Sequence, residues 1–282
     1  MEKKLGALTV REIEASDGVA LIEASSLTWG ESNMLLITTK CLFTHARGKR
    51  LINANPCHGI MLSALLGERP QKRQRLMLTR KELHYLLNAG MRTRNALTTR
   101  VLLATAVRSA ELYQARWDDV HLDEASWHIP KSKTGAAIDI PLAPVVVDWL
   151  RELRELAGES PYVLPAHSRG RAERQGGDTH VSKDTIREAI GYWLAAVKPA
   201  VRRFTPHELR STMKSHMRAL CVPRDISEMC LNHKLSGVEG IYDRHTYFDE
   251  RKDALAKWAD FLVECEAGGN VVSMVAARHT AS

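Results

Sequence analysis

Residues 203–252 hold most of the side chains that could do chemistry together. The stretch contains a His-x-x-Arg pair (His207, Arg210), an Asn-His-Lys triplet (Asn232, His233, Lys234) and Tyr242, nine residues beyond His233. If this part is helical, the three-residue spacing puts His207 and Arg210 on one face. A guanidinium fork neutralises the non-bridging oxygens of a phosphate, imidazoles donate or relay protons, and a phenolate can attack phosphorus. The set suits a phosphodiester. A lone His-x-x-Arg says little; joined to His233, Tyr242 and an arginine and lysine upstream, it is specific.

These side chains need elements to hold them. Pro206 stands where a helix starts, and Leu209, Met213, Met217 and Leu220 follow at helical spacing. Upstream, Ser109 is placed to cap a short helix through Glu111 and Leu112, with Arg108 just before it. Trp127–Ile129 and Ile138–Leu142 alternate as strands and flank Lys131-Ser132-Lys133-Thr134-Gly135, which makes a β-hairpin with a basic tip. Downstream, a helix from Asp249 to Cys265 carries Leu255, Trp258, Ala259 and Leu262 on one stripe.

The composition limits what the protein can be. The chain has 282 residues, 44% of them hydrophobic, enough for one large domain or two modest ones. A formal net charge of +7 and a pI near 9.2 favour a polyanionic partner. No apolar run approaches the roughly 18 residues of a membrane span, and the N-terminus shows no signal-peptide core. The five cysteines are scattered and form no Cys-x-x-Cys pair, which reads as reduced thiols in a cytoplasmic protein. No His-Glu-x-x-His or Cys/His zinc spacing occurs, so no metal is assigned.

Taken in order, the chain opens with a short extended piece and a helix beginning near Ser16 or Asp17. Ser32 can cap a second helix bearing Leu35, Leu36, Leu42 and Ala46, and a short one follows over Gly59–Leu66. Residues 67–75 (GERPQKRQR) are dense in charge and read as an interdomain linker whose Arg69, Lys72, Arg73 and Arg75 could track a phosphate backbone. Thr79-Arg80-Lys81-Glu82 is a capping box for a helix from Arg80, and another helix runs from Arg94 to Val107. Pro144–Leu156 reads as a helix ended by Gly158, and Tyr162–Leu164 as a short strand. Residues 166–179 read as a loop, and Ser182 as the cap of the next helix, through Val197. Trp117, Trp127, Trp149 and Trp258 lie in apolar patterns and are assigned to the core. The expected division is a partial helical domain (1–66), a linker (67–76), a catalytic domain (77–265) and a C-terminal tail (266–282).

Ala106-Val107-Arg108-Ser109-Ala110-Glu111-Leu112, the hairpin tip, His-Glu-Leu-Arg, Leu-Asn-His and Gly-Ile-Tyr together resemble the tyrosine recombinases of the phage-integrase family, across residues 76–265. The run from Ile241 to Leu262 looks particularly like integrases of prophages and genomic islands. The resemblance implies that Arg108, Lys133, His207, Arg210, His233 and Tyr242 are catalytic, with Glu111 in support and Lys131 beside them on the DNA. Two positions depart from the family pattern: Ala106 and Asn232 stand where glycine is usual. Residues 8–60 look like the second half of a core-binding domain with its first helices missing.

The fold implied is mainly α with a small antiparallel sheet, a catalytic domain behind a short helical one, the two forming a C-shaped clamp on duplex DNA. The function implied is site-specific recombination through a 3′-phosphotyrosine, with no metal or nucleotide cofactor. Its partners are double-stranded DNA with paired sites, three further copies in a tetramer, and DNA-bending accessory proteins; the tail is expected to dock on a neighbouring copy. Two other readings are a type IB topoisomerase, which shares the chemistry, and a non-cleaving DNA-binding regulator descended from an integrase. Each key residue alone has an ordinary structural explanation, but their shared order and spacing do not.

Overall fold

A computed structural model of the chain describes residues 6, 8–71, 74–132, 137–197, 200–233 and 245–268. Lys72, Arg73, Lys133, Lys234, Tyr242 and residues 269–282, which hold the tail's apolar Val271, Val272, Met274 and Val275 expected to dock on a neighbouring copy, lie outside the described residues. The chain divides into two compact units, Met1–Gln74 and Arg75–Ser282.

Among the described residues the first unit contains the helices α1 (Ala15–Glu23), α2 (Trp29–Gly48) and α3 (Leu62–Leu66). Helix α2 starts before Ser32. Thr28 and Glu31 form the capping box that sets its N-terminus, with Thr28 N–H donating to Glu31 Oε2 at 2.9 Å, and Ser32 is buried inside the helix. Ile22, Leu36, Phe43, Cys57, Ile60 and Leu62 make the core of this unit. Helix α1 packs closely there because residue 18 is glycine: a Cβ at that position would lie 2.8 Å from Ile60 Cδ1 and 3.0 Å from Cys57 Sγ. The short helix begins at Leu62 rather than Gly59, so Gly59 and Ile60 belong to the connection before it.

The second unit is mainly helical. Helix α4 (Arg80–Leu87) begins at the Thr79–Glu82 capping box, with Thr79 N–H to Glu82 Oε2 at 2.8 Å. Helix α5 (Thr93–Thr105) buries Leu97, Val101 and Leu102 on its inner side and ends at Ala106, whose φ is +48°. The short α6 (Ser109–Tyr113) follows, and here Arg108, not Ser109, occupies the N-cap position.

A sheet of three antiparallel strands comes next: β1 (Val120–His121), β2 (Ser126–Ile129) and β3 (Ile138–Pro141), in that order. The first strand is too short to show as alternation in the sequence. Trp127 pairs with Ile140 and Ile129 with Ile138, so one face is apolar, with Trp127, Ile129 and Ile140 buried and Ile138 partly so. His128 and Asp139 sit opposite each other on the other face, Nδ1 to Oδ1 at 2.7 Å.

Helix α7 (Pro144–Ala157) ends at Gly158, φ +60°. Tyr162–Leu164 does not extend into a strand but makes a single bridge, Tyr162 to Arg116, while Val163 and Leu164 are buried. The stretch 166–179, expected as loop, contains a short helix, α8 (Arg169–Arg174), which Arg171 ties to the main-chain oxygen of His180 at 2.8 Å. An apolar pattern could not reveal it because the helix has almost no apolar face. Helices α9 (Thr185–Val197), α10 (Pro206–Ala219), α11 (Arg224–Cys230) and α12 (Phe248–Glu266) follow among the described residues.

Helix α12 is central. It packs on α4, α5, α10, α11 and β3, and Trp258 at its middle is wholly buried, its Nε1–H donating to Leu103 O at 2.9 Å. His216 of α10 stacks on that indole at 5.6 Å between centroids. All four tryptophans assigned to the core, at 117, 127, 149 and 258, are buried. The outcome is a mainly α fold with a small antiparallel sheet.

Candidate active site

The site begins with the turn after α5. Ala106 adopts a left-handed conformation, which ends the helix and turns the chain so that Arg108 caps α6. Glu111, three residues on, accepts from the Arg108 main-chain N–H at 2.7 Å and from its Nη1 at 2.9 Å. One carboxylate thereby fixes both the backbone and the guanidinium of Arg108. The remaining terminal nitrogen, Nη2, reaches Asn232 O at 3.3 Å.

Helix α10 supplies His207 and Arg210 from its first turns, behind Thr205 and Pro206. Thr205 N–H donates to Glu208 Oε2 at 2.8 Å, a capping box that fixes where the helix starts and hence which way both side chains face. Arg210 is only 5% exposed. It donates from Nη1 to Ala106 O and from Nη2 to Leu231 O, the latter at 2.6 Å. Burial, with the like charges of Arg108 and Arg75, lowers its pKa to about 10, so it still carries its charge at neutral pH.

His207 reaches solvent, but its ring is partly desolvated. That desolvation, followed by the positive charges of Arg75, Arg210 and Arg108, holds its imidazole below the ordinary range. A neutral imidazole beside guanidiniums can accept a proton. Arg75 belongs to this field although the sequence places it in a linker.

Helix α11 ends at Cys230, and Asn232, with φ +49°, reverses the chain. His233 is thereby brought back over the helix, its Nδ1 2.7 Å from Glu228 Oε2. The other oxygen of Glu228 pairs with Lys214 of α10. Burial alone would raise the Glu228 carboxyl, but hydrogen bonds from Lys214 and His233 outweigh it and hold it below the usual carboxylate range.

Five of the expected site residues, Arg108, Glu111, His207, Arg210 and His233, thus gather from three separated stretches. Lys133 and Tyr242 lie outside the described residues, but the elements flanking them are seen. Buried Arg251 of α12 donates to Thr246 O at 3.0 Å and to Asp139 O at 2.8 Å, tying the segment after Tyr242 to the strand after Lys133. Of the residues expected on DNA, Lys131 and Arg75 are exposed, and Arg69 lies over the Trp29 ring at 5.4 Å. Lys72 and Arg73 fall outside the described residues. The sequence motifs do not include Glu228 or Lys214, since a glutamate and a lysine on amphipathic helices look like ordinary surface residues. Among the described residues no group of three His, Cys, Asp or Glu is placed to hold a metal, and no helix is long and apolar enough to cross a membrane.

Comparison with known proteins bears on this arrangement. Prophage integrase IntA of Escherichia coli (strain K12) is 24% identical over 281 residues, covering 95% of this chain and 64% of its own length. The chain therefore spans just under two thirds of that relative. Among solved structures, a lambda integrase(75-356) dimer bound to a COC′ core site aligns with a TM-score of 0.62 at 20% identity, covering 86% of each chain. A lambda integrase tetramer bound to a Holliday junction gives a TM-score of 0.61 at 18% identity, covering 83% of this chain and 67% of that one. At such identities the likeness is one of fold. The model of the phage integrase family matches residues 76–248, more than half of the chain and the stretches that carry Arg108, Glu111, His207, Arg210 and His233, and the chain belongs to that family.

Proposed function

We propose that the protein is a site-specific DNA recombinase that cuts and rejoins strands through Tyr242. The phenol Oη attacks phosphorus and its proton passes to His207. A tyrosine–phosphorus bond forms at the 3′ side, the bond to the 5′-oxygen breaks, and Lys133 gives that oxygen a proton. Rejoining runs the same steps backwards with a 5′-hydroxyl from another strand. A phenol with a pKa near 10 needs a base, and His207, kept neutral by desolvation and its cationic neighbours, suits that role. Arg108 and Arg210 stabilise the charge that builds on the non-bridging oxygens, each donor worth ~2.7–4 kcal/mol in the transition state. Because the phosphotyrosine conserves bond energy, no nucleotide is required.

The observation that carries this reading is the convergence of two guanidiniums from separate segments, Arg108 and Arg210, on the carbonyls of residues 106, 231 and 232. Each keeps further N–H groups for a phosphate. We further propose that the first unit adds to the grip on DNA, that Arg69, Lys72, Arg73, Arg75 and Lys131 meet phosphates, and that four copies act on two paired sites. The tetrameric relative on a Holliday junction and the prophage relatives support this assembly and a role in moving a genetic element.

Two tyrosines lie close together, at 242 and 247, and a nicked suicide substrate separates them. Tyr242→Phe should bind DNA and form no covalent adduct, while Tyr247→Phe should still form it. The reverse pattern would move the nucleophile to Tyr247. An intact chain that binds its site and never forms the adduct would make it a non-cleaving regulator.

A further inference from the structure

We infer that Glu228 is a positioning residue for the reaction proposed above, acting through His233 to present the imidazole Nε2 to the scissile phosphate. The inference rests on that reaction and adds to it a residue that the motifs do not contain.

The chain is folded so that this contact forms. Helix α11 stops at Cys230, Asn232 turns left-handed, and the His233 main-chain N–H returns to Glu228 O at 3.0 Å. The ring then lies against the Glu228 carboxylate, Nδ1 to Oε2 at 2.7 Å. A carboxylate only accepts, so Nδ1 must carry the proton there. That leaves Nε2, on the opposite edge of the ring, to meet a phosphate oxygen. A ring whose only proton sits on Nδ1 has just a lone pair at Nε2, so donation to phosphate requires the imidazolium, and Glu228 balances its charge.

A carboxylate so near a phosphate would by itself repel it, and Lys214 answers this. It lies one helical turn beyond Arg210 on α10 and pairs with the second oxygen of Glu228. The side chain of Glu228 is 18% exposed, against 44% for His233 and 38% for Lys214. The carboxylate is the inner member, held between two cationic partners, and the group as a whole offers positive charge to an anion.

An ordinary ion pair at a helix end would share these distances, so the test must read more than stability. The wild type is first assayed for the covalent adduct on a nicked suicide substrate; no adduct would defeat the reaction itself, whatever Glu228 does. Given the adduct, Glu228→Gln, which keeps shape and loses charge, should slow cleavage by ~10-fold while half-site binding stays unchanged. In a His233→Ala background the same change should have no further effect. Multiplying losses in the double variant, or a wild-type rate for Glu228→Gln, would overturn the inference. A measurement on the unmodified protein guards against a variant that fails to fold: ¹⁵N-histidine NMR should show His233 protonated at Nδ1 in a strong hydrogen bond. A ring protonated at Nε2 alone would also overturn it.

Discussion

The guanidinium of Arg108 donates to the main-chain oxygen of Asn232 across 124 residues of sequence. Arg210 makes matching bonds to Ala106 O and Leu231 O, so two arginines stitch the turn after α5 to the turn after α11. Ala106 and Asn232, where the sequence resemblance leads one to expect glycine, both have positive φ, +48° and +49°. Glycine meets that backbone demand without strain, and Asn meets it better than Ala.

Arg108→Lys tests this stitching. Lysine keeps the charge but cannot reach Glu111, Asn232 and a phosphate together. Cleavage of a suicide substrate should fall by at least ~100-fold, with half-site binding reduced only a few-fold. A rate near that of the wild type would show that charge alone suffices there.

His207 should titrate below 6.5 in the free protein, because desolvation and then Arg75, Arg210 and Arg108 disfavour its charged form. Removing one of those charges relieves part of the effect, so Arg75→Ala should move the midpoint up. NMR titration of the ring reads both. A midpoint above 6.5, or no response to Arg75→Ala, would contradict the electrostatic account of the site.

Cleavage should be as fast in EDTA as in Mg²⁺, since the two guanidiniums supply the charge that a metal otherwise would. Lys133→Ala should slow cleavage of an ordinary 5′-oxygen leaving group far more than of a 5′-thio one, which needs no proton. Equal losses on the two substrates would remove Lys133 from the acid's role.

A fourth expectation concerns stability. Glu82 is buried and accepts from Arg202 at 2.6 and 2.7 Å, which, against the opposing effect of burial, lowers its pKa from 4.5 to about 2. A carboxylate depressed in the folded state contributes stability that is full above about 4.5 and lost as pH falls toward 2. Glu82→Gln should cost about 2 kcal/mol at neutral pH, discounting for the half-exposed Arg202, and should flatten the acid limb of the unfolding curve. An unchanged limb in denaturant titrations between pH 5 and 2 would mean that the pair is as favourable in the unfolded chain.

Much was legible in the sequence because it is local. The Thr79 and Pro206 helix starts, the hairpin strands, the α12 stripe and the His-x-x-Arg face depend on side chains a few residues apart. Spacing of 2, 3 or 4 residues encodes such features directly. Short or polar elements escaped. Strand β1 is two residues long, α8 has almost no apolar face, and Thr28 competes with Ser32 as a cap by virtue of Glu31, all below what periodicity can resolve.

The types and order of the site residues were determined by the sequence alone, since motif spacing holds however the segments pack. What only the tertiary structure decided is how they meet. Arg210 is bound by carbonyls from two distant turns, Arg75 lends its charge to His207, and Lys214 and Glu228 come together from different helices to hold His233. A carbonyl oxygen is present at every position and a surface glutamate on most helices, so neither carries a signal in sequence. Their roles arise from the packing of α10 and α11, which sets carbonyls and carboxylate at hydrogen-bond distance from particular nitrogens.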